Sequence, residues 1–175
     1  MAAGSTIHKA QLNISDMDRN YYETHELTLA KHPSETDKRL MLRLAAFALN
    51  AAERLIITTG IDGEDDPALW EKDYSGDIKL WIDIGQPDEK RVRKACGRSE
   101  KVIIYTHNIG SATAWWAQNS GAYGRFKNLS VIHLHAEDVD TLSERSMRIQ
   151  CNISDGELSM HSDNKDVYVR QERWQ

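Results

Sequence analysis

The chain reads as one mixed α/β domain, and three observations predict it. Residues 35–54 hold a long helical stretch that is apolar on most sides. Alternating strands and amphipathic helices follow from 55 to 135. Both termini carry alternating runs broken by turn residues. The middle reads helix-strand-strand-helix-strand-helix-strand, and the two ends read as antiparallel hairpins. The simplest assembly pairs those hairpins into a second sheet beside the central one. With 175 residues, a single domain over 1–175 is large enough to bury its own core.

The elements follow in order. Residues 5–14 and 23–32 form the first hairpin around the turn-like 15–22. In its second strand Leu27 and Leu29 alternate with Glu26 and Thr28. Ser34 is the expected N-cap of the long helix, with Glu35 and Asp37 at its positive end. Leu40, Met41, Leu44, Phe47 and Ala48 share one face, and Leu42, Ala45, Ala46 and Leu49 widen it. Residues 55–59 make a short strand closed by Gly60, and 60–68 an acidic loop. Ile78, Leu80, Ile82 and Ile84 alternate with Asp77, Lys79, Trp81 and Asp83, the mark of a strand. Pro87 opens a basic helix that runs to about Cys96 and closes at Gly97. Residues 101–106 are an apolar strand covered on both faces, 111–119 a helix and 130–135 a further strand. The tail reads as two or three antiparallel strands, with Asp155-Gly156 as the tightest turn.

Composition narrows the function classes. Formal net charge is -5, so any nucleic-acid contact needs a local basic patch. Residues 1–16 lack the charged start and long apolar run of a secretory signal, and no stretch has the length of a membrane helix. Cys96 and Cys151 stand alone, as reduced thiols of a cytoplasmic protein do. There is no P-loop, GxGxxG, GxSxG or HExxH. His133, His135 and His161 have no cysteine at zinc-ligand spacing and read as surface or hydrogen-bonded histidines. Cations beside Cys96 could lower its pKa, but no histidine is positioned to make it a nucleophile.

The densest chemistry lies in 80–95. Asp83 stands at the end of an apolar strand, and Lys90, Arg91, Arg93 and Lys94 follow on the next helix. Two readings stay open. The face Asp77, Lys79, Trp81, Asp83 can be a solvated sheet face. Alternatively, Asp83 and Asp66 hold a divalent ion near a phosphate that the basic helix receives, since magnesium takes one or two carboxylates plus substrate oxygens. The cations can likewise be a solvated helix face, with Asp88–Arg91 and Glu89–Arg93 as surface pairs. Of Trp115 and Trp116, one belongs in the core and the other is free to stack on a partner or a base.

These residues resemble the YaeQ family. The likeness is carried by His32 to Thr36, Arg39 to Leu44, Glu53-Arg54-Leu55, Asp65-Asp66-Pro67 with Trp70, the block from Leu80 to Ala95, Asn128 to Val131 and Ile153 to Asp155. The resemblance implies a restriction-endonuclease-like architecture of the PD-(D/E)xK superfamily: a helix-strands-helix-strand core and terminal hairpins in an α/β roll. It also implies a site. Glu35 or Glu53 would match the helix glutamate. Asp66, with Asp77 behind it, would match the acid of the second core strand, and Asp83 the acid of the third. Gly85 stands where the motif has lysine. Gln86 follows as a polar substitute, and Lys94 as a relocated cation.

Two functions follow. In one, Glu35 or Glu53, Asp66 and Asp83 hold Mg²⁺ or Mn²⁺ for phosphodiester hydrolysis. Lys94 stabilises charge, Gln86 orients water, and Lys90, Arg91 and Lys94 receive nucleic acid. In the other, the scaffold is a catalytically silent module for a protein or nucleic-acid partner.

Overall fold

The computed structural model describes residues 4–58, 65–163 and 165–175, which fall into two compact units. The first comprises the chain up to Ala51 together with Ala136–Arg170; the second comprises Ala52–His135 with Gln171–Gln175.

In the first unit, β1 (Thr6–Asp16) and β2 (Tyr21–Lys31) form the expected antiparallel hairpin. From His8 on, the even-numbered residues of β1 are buried and the odd ones are partly or fully exposed, as alternation requires. Asp16 builds the turn. Its Oδ1 accepts from the backbone N–H of Asp18 and Arg19, and its Oδ2 takes the Arg19 Nε at 2.6 Å. Arg19 also donates to the Ala51 carbonyl at 2.8 Å, so a cation sits at the negative end of α1 (Asp37–Asn50).

The cap of α1 is Thr36, whose hydroxyl accepts from the Arg39 N–H; Ser34 lies two residues too early. The helix is shorter than the predicted 35–54, but its burial is as expected: every residue from Leu40 to Leu49 is buried. That run includes Arg43. Burial pushes its guanidinium pKa down, and the Glu35 carboxylate opposes this. Glu35 is itself buried and accepts from Arg39 at 2.6 Å and Arg43 at 2.7 Å.

The tail supplies β8 (Ser146–Ser154), β9 (Glu157–Ser162) and β10 (Lys165–Arg173). Asp155 (φ 53°) and Gly156 (φ 77°) form the predicted tight turn, and the Asp18 carboxylate accepts from both of their N–H groups at 2.8 Å. β8 lies parallel to β1, so the first hairpin joins the β8-β9 hairpin edge to edge.

The second unit contains β3 (Leu55–Ile57), β4 (Leu69–Lys72), β5 (Ile78–Ile84), α2 (Glu89–Arg98), β6 (Ser99–Thr106), α3 (Ile109–Tyr123) and β7 (Leu129–His135). β3, β4 and β5 pair antiparallel, while β5, β6 and β7 run parallel with α2 and α3 as crossovers. Trp81, Val92, Ala95, Val102, Ile104, Trp115 and Val131 form the core beneath the helices. The predicted end of β3 at Thr59 and Gly60, and the acidic loop through Glu64, lie outside the described residues.

The predicted architecture needs correction. The terminal hairpins do not make a second sheet. Among the described residues the ten strands follow one hydrogen-bonded order, β2-β1-β8-β9-β10-β7-β6-β5-β4-β3. The reason lies in β10. Lys165–Val169 pair with β9, and the strand then overshoots its shorter neighbour and continues beside β7. Nor is there a helix-strands-helix-strand core of the restriction-endonuclease kind. The helix meant to head it, α1, belongs to the unit of the terminal strands, and the fold is mostly strand.

Glu35→Ala leaves Arg43 buried without its carboxylate. Urea unfolding should show a loss of about 3–5 kcal/mol, and replacing Arg43 by Met in the same protein should recover most of it. A loss under about 1 kcal/mol in the single variant would show the pair to be dispensable.

Candidate functional site at the ends of the parallel strands

Asp83 is the next-to-last residue of β5, on the strand face that α2 covers. It is buried, as is Trp81 two residues earlier, so this end of the face is not solvated. A buried carboxylate needs a matched partner. Arg91 provides one: its Nε meets Oδ2 at 2.8 Å and its Nη2 meets Oδ1 at 2.9 Å. The same Nη2 donates to the Asp66 carbonyl at 2.9 Å. The Asp83 hydrogen bond is the main cause of a raised Arg91 pKa.

Local sequence puts Arg91 there. Asp88 caps α2 by accepting from the Arg91 backbone N–H at 2.8 Å, so Pro87 precedes the cap and does not open the helix. Asp88 thus holds the Arg91 backbone while the guanidinium turns to Asp83. Side-chain pairing between Asp88 and Arg91, expected from their spacing, is replaced by this arrangement.

The remaining candidates are placed as follows. Lys94 pairs with Asp65, whose carboxyl it holds below the ordinary range; Arg98 reaches the Asp65 carbonyl at 3.3 Å. Arg93 makes the predicted pair with Glu89 at 2.8 Å, and Arg125 joins the same carboxylate at 3.0 Å. Lys90 is exposed. Gln86 donates to the Ser111 hydroxyl at 2.7 Å, which links the end of β5 to the first turn of α3. Asp66 is exposed and joins the cluster through its backbone. Glu53 is exposed in the turn before β3, and Glu35 belongs to the other unit. Gly85 has φ 122°, a conformation that side-chain-bearing residues rarely adopt, which accounts for glycine where the resembled motif has lysine.

These side chains do not fit a divalent metal. Both oxygens of Asp83 are taken by Arg91, and those of Glu35 by Arg39 and Arg43. Among the described residues no group of three or more His, Cys, Asp or Glu is arranged to hold a metal ion.

Thr106, Glu172 and Trp174, not singled out from sequence, join His133, His135 and Trp116 in the same unit. Thr106 Oγ1 and His133 Nδ1 share a buried hydrogen bond of 2.8 Å. His133 stacks on Trp174 at 5.0 Å, and Trp174 stacks on Trp116 at 6.1 Å. Trp116 is therefore half-buried under Trp174 and not free for a base; Trp115 is the core partner, with its N–H on the Pro87 carbonyl. His135 Nε2 lies 3.0 Å from Glu172, whose pKa is lowered chiefly by the Trp174 indole N–H and then by His135. The sequence signal was the same-face spacing of His133 and His135, but nothing local pointed to a partner 37 residues on.

Burial, not the neighbouring cations, governs the cysteines. It pushes the Cys96 thiol up to about 11 and the Cys151 thiol up to about 12. Both thiols are free, and at pH 8 both should be protonated. Iodoacetamide should label the native protein at least about tenfold more slowly than the urea-unfolded chain. Equal rates would contradict this. Arg91→Ala should cost about 1–3 kcal/mol in thermal unfolding by stranding Asp83, and Asp83→Asn in that background should regain part of it.

No helix among the described residues is long and apolar enough to cross a membrane. The family model described as YaeQ protein matches residues 1–171. The YaeQ protein of Escherichia coli (strain K12) is 41% identical, over 100% of this chain and 98% of its own length; that of Salmonella typhi is 40% identical over the same shares. The crystal structure of YaeQ protein from Xanthomonas axonopodis pv. citri matches with a TM-score of 0.94 at 48% identity, covering 98% of each chain. That of Pseudomonas syringae gives 0.92 at 30% identity, covering 99% of this chain and 97% of its own. The chain belongs to the YaeQ family.

Proposed function

We propose that this chain is a catalytically silent binding module and not a magnesium-dependent phosphodiesterase. The two-point hold of Arg91 on Asp83 carries this reading. A metal ion at Asp83 would have to displace a guanidinium that already satisfies both carboxylate oxygens in a half-dry setting. Arg91 also answers the Asp66 carbonyl, so freeing Asp83 disrupts the loop as well.

The cations of α2 support the same reading. Arg91, Arg93 and Lys94 are engaged by Asp83, Glu89 and Asp65. A nucleic acid would have to compete with these acids for the charges it needs, on a molecule of net charge -5. The partner is therefore met by a surface other than the α2 cation cluster.

Calorimetric titration of Mn²⁺ into the wild type and Asp83→Asn tests this. The expected result is no saturable site dependent on Asp83, and no Mg²⁺-dependent cleavage of DNA or RNA. A stoichiometric Mn²⁺ site lost in Asp83→Asn, with cleavage lost alongside it, would restore the hydrolase reading.

A further inference from the structure

β2 ends the strand order on one side, and its outer edge is open over most of its length. It has 11 residues, pairs with β1 without a register shift, and contains no proline or glycine. Among the described residues no strand lies on its other side. The direction of its backbone groups follows from β1. Lys9 and Met17 donate their N–H to the carbonyls of Arg145 and Ile153, so odd residues of β1 face β8 and even ones face β2. Those even residues stand opposite odd residues of β2, as Leu12 does opposite His25. The N–H and C=O of Tyr22, Thr24, Glu26, Thr28 and Ala30 therefore point outward. Arg43 closes one end of this row, since its buried guanidinium donates to the Ala30 carbonyl at 3.0 Å. From Tyr22 to Thr28 the edge stays open, and Tyr22, Glu23, Thr24, Glu26 and Thr28 are exposed.

Open edges are ordinarily blunted by lysine, proline, a bulge or sheer shortness. This stretch has none of these. It carries two acids, and one is turned inward: Gln11 donates to Glu26 at 3.3 Å. Thr24 likewise donates inward to Asn13 at 2.6 Å. The stretch complements itself in one register. When two copies pair antiparallel about a two-fold axis, outward-facing residues must stand opposite each other, so the axis passes through a residue. An axis at Glu23 or Glu26 sets a carboxylate against its own copy, which is unfavourable. An axis at Leu27 brings Thr24 to the Ala30 carbonyl that Arg43 holds. An axis at His25 sets Glu23 against Leu27. An axis at Thr24 matches every pair: Thr24 with Thr24, Tyr22 with Glu26, Tyr21 with Leu27, and Glu23 with His25 on either side. Glu23 and His25 then form a narrow pair, with Cα atoms about 4.5 Å apart. The Tyr21 hydroxyl lies 2.6 Å from His25 Nε2, which leaves Nδ1 for the carboxylate.

We propose that two copies of this chain pair through the β2 edge, antiparallel and centred on Thr24. The pairing adds about six backbone hydrogen bonds and a Glu23–His25 contact at each end. Seven residues a side fall short of the roughly 1,000 Å² of a stable interface, so the association is weak. A foreign extended strand would use the same edge; the match of Glu23 to His25 about the axis selects a second copy. The inference goes beyond the binding-module reading and does not depend on the state of Asp83.

The test is sedimentation velocity of the full chain from about 20 µM to about 1 mM, with amide hydrogen exchange by NMR over the same range. The expected result is a monomer–dimer equilibrium in which the amides of Tyr22, Thr24 and Glu26 gain protection with concentration and that of Thr28 does not. Thr24→Pro removes an N–H that β1 does not use, so the fold should persist and the dimer disappear. Glu23→Lys, at an exposed side chain, should weaken association at least about threefold. Should the proline variant fail to fold, Glu23→Lys decides. A monomer at every concentration overturns the assignment. So does a dimer that neither variant weakens, or one whose protection includes Thr28 or lies on another element.

Discussion

A carboxylate buried at the end of β5 must be answered, and the manner of the answer organises the second unit. Arg91 meets both oxygens of Asp83 and, with the same guanidinium, the carbonyl of Asp66. One side chain thereby joins strand, helix and the segment before β4. The geometry depends on where α2 begins. Asp88 sets that start by holding the Arg91 backbone N–H, and so sets the direction of the guanidinium. Arg91 and Arg98 also lie over the Trp81 ring, at 5.8 and 5.5 Å, which places two cations against the apolar floor of the unit.

Much of this was legible in the residues. The apolar run of α1, the alternation of β5, the continuous apolar strand β6 and the Asp-Gly turn each act through short-range rules, and each is present. β4 was missed because four residues after a proline carry too little period, and its identity comes from pairing Trp70 with Trp81. The single strand order was missed for a different reason. Nothing in β10 itself says that its distal half will find β7; only the greater length of β10 over β9 hints at it.

At the candidate site, the place of Asp83 at the end of a strand was legible and its partner was not. Lys94 lies one turn beyond Arg91 and was the cation expected to reach back; it is instead engaged by Asp65. The two share a side of the helix; Arg91, one turn nearer its start, reaches Asp83, and Lys94, one turn further on, meets Asp65. Planarity reinforces it: a guanidinium can satisfy both carboxylate oxygens at once, and an ammonium cannot.

The shared course of β10 also bears on how the chain emerges during synthesis. Strands β3 to β7 are complete by His135, yet the backbone groups of Val131 pair with Trp174 and Gln175, made about forty residues later. Likewise β1 waits for β8, more than 125 residues downstream, before its second edge is closed. A nascent chain halted between these points carries two open strand edges, both flanked by apolar side chains. Translation speed through the last third of the message, and the chaperones near the ribosome, therefore decide whether those edges meet their own partners or another chain's.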